Sequence, residues 1–133
     1  MQIDLPDVVA EVSAAFERYE QALVTNDTAT LNALFHDDAR TIRYGIAENL
    51  HGHEQIRGFR AARSPVGLAR TRSRTVITTY GRDCAVAATL FHRATMPGRV
   101  GRQMQTWVRM SEGWRIVAAH VSVIDAPAGQ EGS

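Results

Sequence analysis

Lysine is absent from this chain of 133 residues: all fifteen basic side chains are arginine. Schiff-base chemistry and a lysine general base are therefore excluded. Any anion the protein binds must be held by arginine, histidine or backbone amides. Cysteine is reduced to a single residue, Cys84, so no disulfide can close within the chain, and a reducing cytoplasm fits. No stretch approaches the roughly 18 apolar residues of a membrane span. The opening residues 1–7 are acidic and do not follow the charged-then-apolar pattern of a secretory leader. A formal charge of +1 lacks the basic excess of a general nucleic-acid binder. His51 and His53 are two residues apart with no third ligand in an obvious place, so neither a metal nor another cofactor is expected. These absences leave a cytoplasmic protein with a small-molecule or protein partner.

What is present suits one globular unit. A hydrophobic fraction of 44% with 22% charged residues is ordinary for a soluble domain. The length is enough for a core without metal or disulfide staples. The expected division is a single domain over 1–125 and a disordered tail over 126–133, which is polar and rich in glycine.

Residues 7–25 read as a long amphipathic helix, with Val8, Val12, Phe16, Tyr19 and Leu23 on one face. Tyr19 thus lies on the buried stripe, where the plain expectation is a core tyrosine whose hydroxyl finds a backbone acceptor. Asn26, Asp27 and Thr28 make a turn and N-cap for a short second helix over 29–35. Alternation in Thr41-Ile42-Arg43-Tyr44 puts Ile42 and Tyr44 on one face of a strand and Thr41 and Arg43 on the other, before Gly45 breaks the run. A cation on a strand of a small domain either reaches water or is held against an anion. Glu48 and Asn49 follow closely and are candidates for a pocket mouth. A third helix begins near His53, with Ile56 and Phe59 inward and Arg57, Arg60 and Arg63 spaced three apart along another side.

The remainder reads as strand. Residues 68–80 carry Arg70, Arg72 and Arg74 on one face, expected to be solvated. Three further strands follow, and the last hairpin invites a register. If Glu112-Gly113 is a two-residue turn, Gln103, Gln105, Trp107 and Arg109 share a face with Ser122, His120, Ala118 and Ile116. That face would offer a tryptophan floor and a set of hydrogen-bonding groups. Gln105, Trp107, His120 and Ser122 are accordingly the expected substrate-binding residues. The other face is largely apolar, and three helices cannot cover both sides of the sheet. A homodimer built sheet against sheet is expected.

The order of elements, the segment Leu34-Phe35-His36-Asp37-Asp38-Ala39, and the ending Trp114-Arg115-Ile116-Val117-Ala118-Ala119-His120 resemble the NTF2-like superfamily. This is the cystatin-like α+β cone: a curved antiparallel sheet wrapped around an N-terminal helix, with two shorter helices. Within it the chain is most similar to the AtzH-type proteins, on Tyr19 in Phe16-Glu17-Arg18-Tyr19-Glu20, Arg43 in Thr41-Ile42-Arg43-Tyr44-Gly45, and Gln105-Thr106-Trp107-Val108-Arg109. The resemblance implies an accessory enzyme of cyanuric acid and other nitrogenous-compound catabolism, associated with amidase-signature hydrolases. It implies decarboxylation of 1,3-dicarboxyurea to allophanate, with Tyr19 and Arg43 as catalytic residues and no metal. A non-catalytic small-molecule-binding partner of an amidase is the alternative. A cone-fold isomerase acting on a hydrophobic substrate is disfavoured by the polar floor.

Overall fold

The computed structural model describes residues 1–127. Its first element is the helix α1 (Pro6–Val24), which buries Val8, Val12, Phe16, Tyr19 and Leu23 along one face. Pro6 sits in the first turn, where its missing N–H leaves no hydrogen bond unmade. Asp27 caps α2 (Thr28–Leu34) by accepting the backbone N–H of Thr30. A short hairpin of β1 (Ile42–Tyr44) and β2 (Asn49–His51) leads into α3 (His53–Ala62). Four longer strands complete the chain: β3 (Thr71–Tyr80), β4 (Cys84–His92), β5 (Arg99–Met110) and β6 (Gly113–Asp125).

The strands form one sheet in the order β2-β1-β6-β5-β4-β3. Neighbours are antiparallel except β1 and β6, which run parallel, with Arg43 opposite Ala119 and Tyr44 opposite His120. The helices cover one face only. There Phe16, Tyr19, Phe35, Ile56, Trp107 and Ile116 meet in a single core. Two irregularities bend the sheet. β3 carries a bulge between Ser73 and Val76, with Arg74 at φ +51°, and β6 carries one where Thr106 pairs Ala118 but Trp107 pairs Ile116. Bulges add twist and curvature, which a sheet wrapping a helix requires.

The second bulge corrects the expected hairpin. The turn falls on Ser111-Glu112 rather than Glu112-Gly113, and Gly113, at φ +125°, already pairs with Met110. Near the turn the slip is two residues, which preserves the faces: Trp107 still shares its side with Ile116. At Val117 one residue goes unpaired, and beyond it the slip is one, which inverts them. Gln105 therefore faces Ala119, and Gln103 faces Val121. His120 and Ser122 turn to the outer face, away from Gln105 and Trp107. His120 is exposed, and Ser122 accepts a hydrogen bond from Arg102 Nε at 3.1 Å.

Two arginine assignments change as well. Arg70 and Arg72 do not sit on a solvated face, because acids on α1 draw them in. Arg70 Nε donates to Glu20 Oε2 at 3.2 Å, and Arg72 Nη2 donates to Glu17 Oε2 at 2.9 Å. Arg60, on the presumed polar side of α3, is buried. The expected tail falls largely outside the described residues; Ala126 itself donates its N–H to the Gly98 carbonyl at 2.9 Å. No helix of the described residues is long and apolar enough to cross a membrane.

Candidate functional site

Arg43 enters the space between sheet and helices because β1 alternates: Ile42 and Tyr44 point outward, and Arg43 is left only 9% exposed. Its Nη1 donates to Glu48 Oε1 at 2.8 Å, and its guanidinium lies 5.7 Å from the Phe59 ring centroid. Glu48 is held in place from its own hairpin. Its second carboxylate oxygen accepts the Ala47 N–H at 3.1 Å, and its carbonyl accepts the Gly45 N–H at 2.9 Å. Gly45 is what permits this arrangement, since a Cβ there would collide with the Glu48 carboxylate.

Beside this pair lies a cavity of about 180 Å³, lined by Arg43, Ile46, Ala47, Glu48, Phe59, Arg63, Leu68, Arg93 and Val121. Three cations and one carboxylate face it. Burial lowers the pKa of Arg63 and, less directly, the charge of Arg43 lowers it further. Burial likewise lowers that of Arg93, helped by the charges of Arg70 and Arg63. Arg60 stands close by and is pushed down to about 10, chiefly by burial. It donates to Asn32 Oδ1 at 2.9 Å and lies over the Phe35 ring. The loss of hydration at these guanidiniums is the kind of imbalance that a bound anion removes.

Tyr19 is 3% exposed and packs edge-to-face on Phe35, ring centroids 6.2 Å apart. Among the described residues its hydroxyl has no hydrogen-bond partner, so the expected backbone acceptor is not found there. Tyr19 does not line the 180 Å³ cavity; of the two expected catalytic residues, Arg43 does.

The floor residues divide. Trp107 is wholly buried in the core and donates from Nε1 to Gln105 Oε1 at 3.0 Å. Gln105 is 1% exposed, and its amide nitrogen has no partner. Gln103 is taken up by the Arg70–Glu20 pair: its Nε2 donates to Glu20 Oε1 at 3.2 Å, and its Oε1 accepts from Arg70 Nη2 at 3.0 Å. His120 lies instead with Ile42, Tyr44, Met104 and Ala118 around a shallow hollow of about 350 Å³ on the outer face. Tyr44 packs edge-on against both His51 and His120. A larger hollow of about 690 Å³ at the start of α3 is bordered by Asp37, Asp38 and Glu54, whose charge repels an anion. Glu48, a candidate for the pocket mouth, lines the cavity and Asn49 does not; Arg63 and Arg93 are the charged pocket residues that spacing did not place. Glu48 follows Arg43 by five positions, the one signal available.

A curved sheet enclosing a long helix, with a small charged cavity at the hairpin end, defines an NTF2-like protein of cystatin-like α+β fold. Similarity to solved structures agrees. A Salmonella enterica serovar Typhimurium protein of the nuclear transport factor 2-like superfamily is 25% identical, with TM-score 0.73 over 96% of this chain and 97% of that one. More specifically, residues 1–127 match the AtzH-like family, and the chain belongs to it. A Pectobacterium atrosepticum protein of unknown function is 58% identical, with TM-score 0.90 over 92% of this chain and 95% of that one. A cystatin-like fold protein from Burkholderia xenovorans is 52% identical, with TM-score 0.92 over 96% and 99% of the two chains. No curated protein matches the sequence.

Proposed function

We propose that this protein is a decarboxylating amidohydrolase for a small N-carboxylated urea, converting 1,3-dicarboxyurea to allophanate within cyanuric acid and other nitrogenous-compound catabolism. The observation that carries this reading is the excess of arginine over carboxylate around the 180 Å³ cavity, in a member of the AtzH-like family. A planar guanidinium grips a carboxylate through two parallel hydrogen bonds, so Arg43 can anchor the substrate once Glu48 yields. The cavity is smaller than the ~300–1,000 Å³ of drug-sized ligand sites, which suits a compact dianion.

The chemistry is a C–N cleavage. The bond between nitrogen and the departing carboxylate breaks, its electron pair stays on nitrogen, a proton reaches that nitrogen, and carbon dioxide leaves. An unprotonated amide anion is a poor leaving group, so a positioned phenol such as Tyr19 supplies the proton or stabilises the developing charge, then regains a proton from solvent. No nucleophile beside a base is required.

Stopped-flow decay of freshly generated 1,3-dicarboxyurea tests this. Wild type accelerates decay, and Tyr19→Phe loses about 100- to 10,000-fold of that acceleration. Arg43→Ala loses it by failing to hold substrate, while both variants stay folded. Decay at the uncatalysed rate with wild type overturns the enzyme and leaves the accessory amidase partner as the reading to pursue. The outer face, where Met104 is 56% exposed among Ile42, Val86 and Ala118, supports the homodimer through this sheet face. Light scattering on wild type and Met104→Glu measures it: a dimer falling to monomer is expected.

A further inference from the structure

Arg63 and Arg93 come from different parts of the chain, the C-cap of α3 and the turn after β4, yet both line the Arg43 cavity. Neither pairs with a carboxylate among the described residues, although Arg43, Arg70, Arg72, Arg82, Arg99 and Arg109 all do. The Nε of each is buried with no hydrogen-bond partner. Arg63 makes one long contact, Nη2 to Asn26 Oδ1 at 3.4 Å. Arg93 is oriented by an aromatic face, lying 5.1 Å from the Phe91 ring centroid, while Arg70 lies 4.4 Å from the same ring. Phe91 can occupy this position because its strand neighbour is Gly101, where any Cβ would strike the ring. The cation is thus held in place by packing and left without its anion.

Charge counting around the cavity gives the ligand class. Glu48 neutralises Arg43, which leaves two of the cavity's cations unmatched. We propose that Arg63 and Arg93 form a second anion-binding arm beside Arg43, so that the site selects compact linear molecules carrying two carboxylates over those carrying one. This rests on the reading of the cavity as a carboxylate site. It assigns the second carboxylate to side chains from α3 and the β4–β5 turn, and none of it to His120 or Ser122.

Calorimetric titration with two stable probes in which the same three-carbon chain carries two carboxylates or one, glutarate and butyrate, tests the arm. Wild type prefers the dianion by about tenfold or more, the scale of one lost charge-assisted hydrogen bond. Arg63→Gln and Arg93→Gln each cut that preference to about threefold or less. Arg63→Lys and Arg93→Lys, which keep the charge, retain more of it. Arg57→Gln, which removes an exposed charge from the same helix, leaves it intact, and thermal melts verify that each variant is folded. Equal affinity of wild type for the two probes, or an undiminished preference in both glutamine variants, overturns the second arm. The carboxylate reading fails on a different result: Arg43→Gln binding both probes as tightly as wild type. No binding of either probe overturns both.

Discussion

Two groups of arginines lie under the same sheet and differ in what surrounds them. Arg70 has its carboxylate within the fold: Glu20 accepts from it, and Gln103 bonds to both partners. Both ends of that pair are almost wholly buried, at 2% and 5% side-chain exposure. Arg63 and Arg93 are half-buried, each with its Nε shut away from any partner, and neither meets a carboxylate among the described residues. A buried charge is tolerated only when it is matched. The first group is matched by the chain and is architecture. The second is left for something that arrives from outside.

Three changes test this contrast. The largest effect belongs to Glu20→Ala, which strands Arg70 and, by the usual penalty for an uncompensated buried charge, lowers unfolding free energy by about 3–5 kcal/mol. Denaturant titration reads it, and a loss within error of zero would make the two groups equivalent. Next is Glu48→Gln. Freeing Arg43 of its internal anion tightens binding of a monocarboxylate such as butyrate by about tenfold. Calorimetry showing weaker binding would mean that Glu48 assists the ligand and does not compete with it. The smallest effect is on stability in Arg63→Gln. Removing an unmatched cation leaves unfolding free energy within about 1 kcal/mol of wild type, on the stabilising side. A loss as large as that of Glu20→Ala would place Arg63 among the architectural charges.

Much of this was legible from residues alone, and the failures are specific. Alternation in β1 set Arg43 on the face opposite Ile42 and Tyr44, and helical spacing put Tyr19 on the buried stripe, because both sit in regular elements. The faces of β5 and β6 could be inferred from the turn as far as Ile116. Past it they could not, because the bulge at Val117 has no glycine or proline to announce it. That single unpaired residue moved His120 and Ser122 to the outer surface. The stripe of Arg70 and Arg72 looked solvated because the partners, Glu17 and Glu20, are about fifty positions away and meet it only after α1 packs against β3. Arg63 and Arg93 were invisible as a pair for the same reason: their association is tertiary, and only the empty space between them shows what they share.

The Arg43–Glu48 contact gives the resting pocket a counter-ion of its own. A ligand that takes the place of Glu48 does not bring new charge to Arg43; it exchanges one carboxylate for another. An exchange of this kind releases few dissolved ions and disturbs the surrounding field little. At the Arg43 end, recognition should therefore depend on shape and hydrogen-bond fit far more than on ionic strength. Chloride and other simple anions, which cannot match the paired oxygens of a carboxylate, gain little by competing for it.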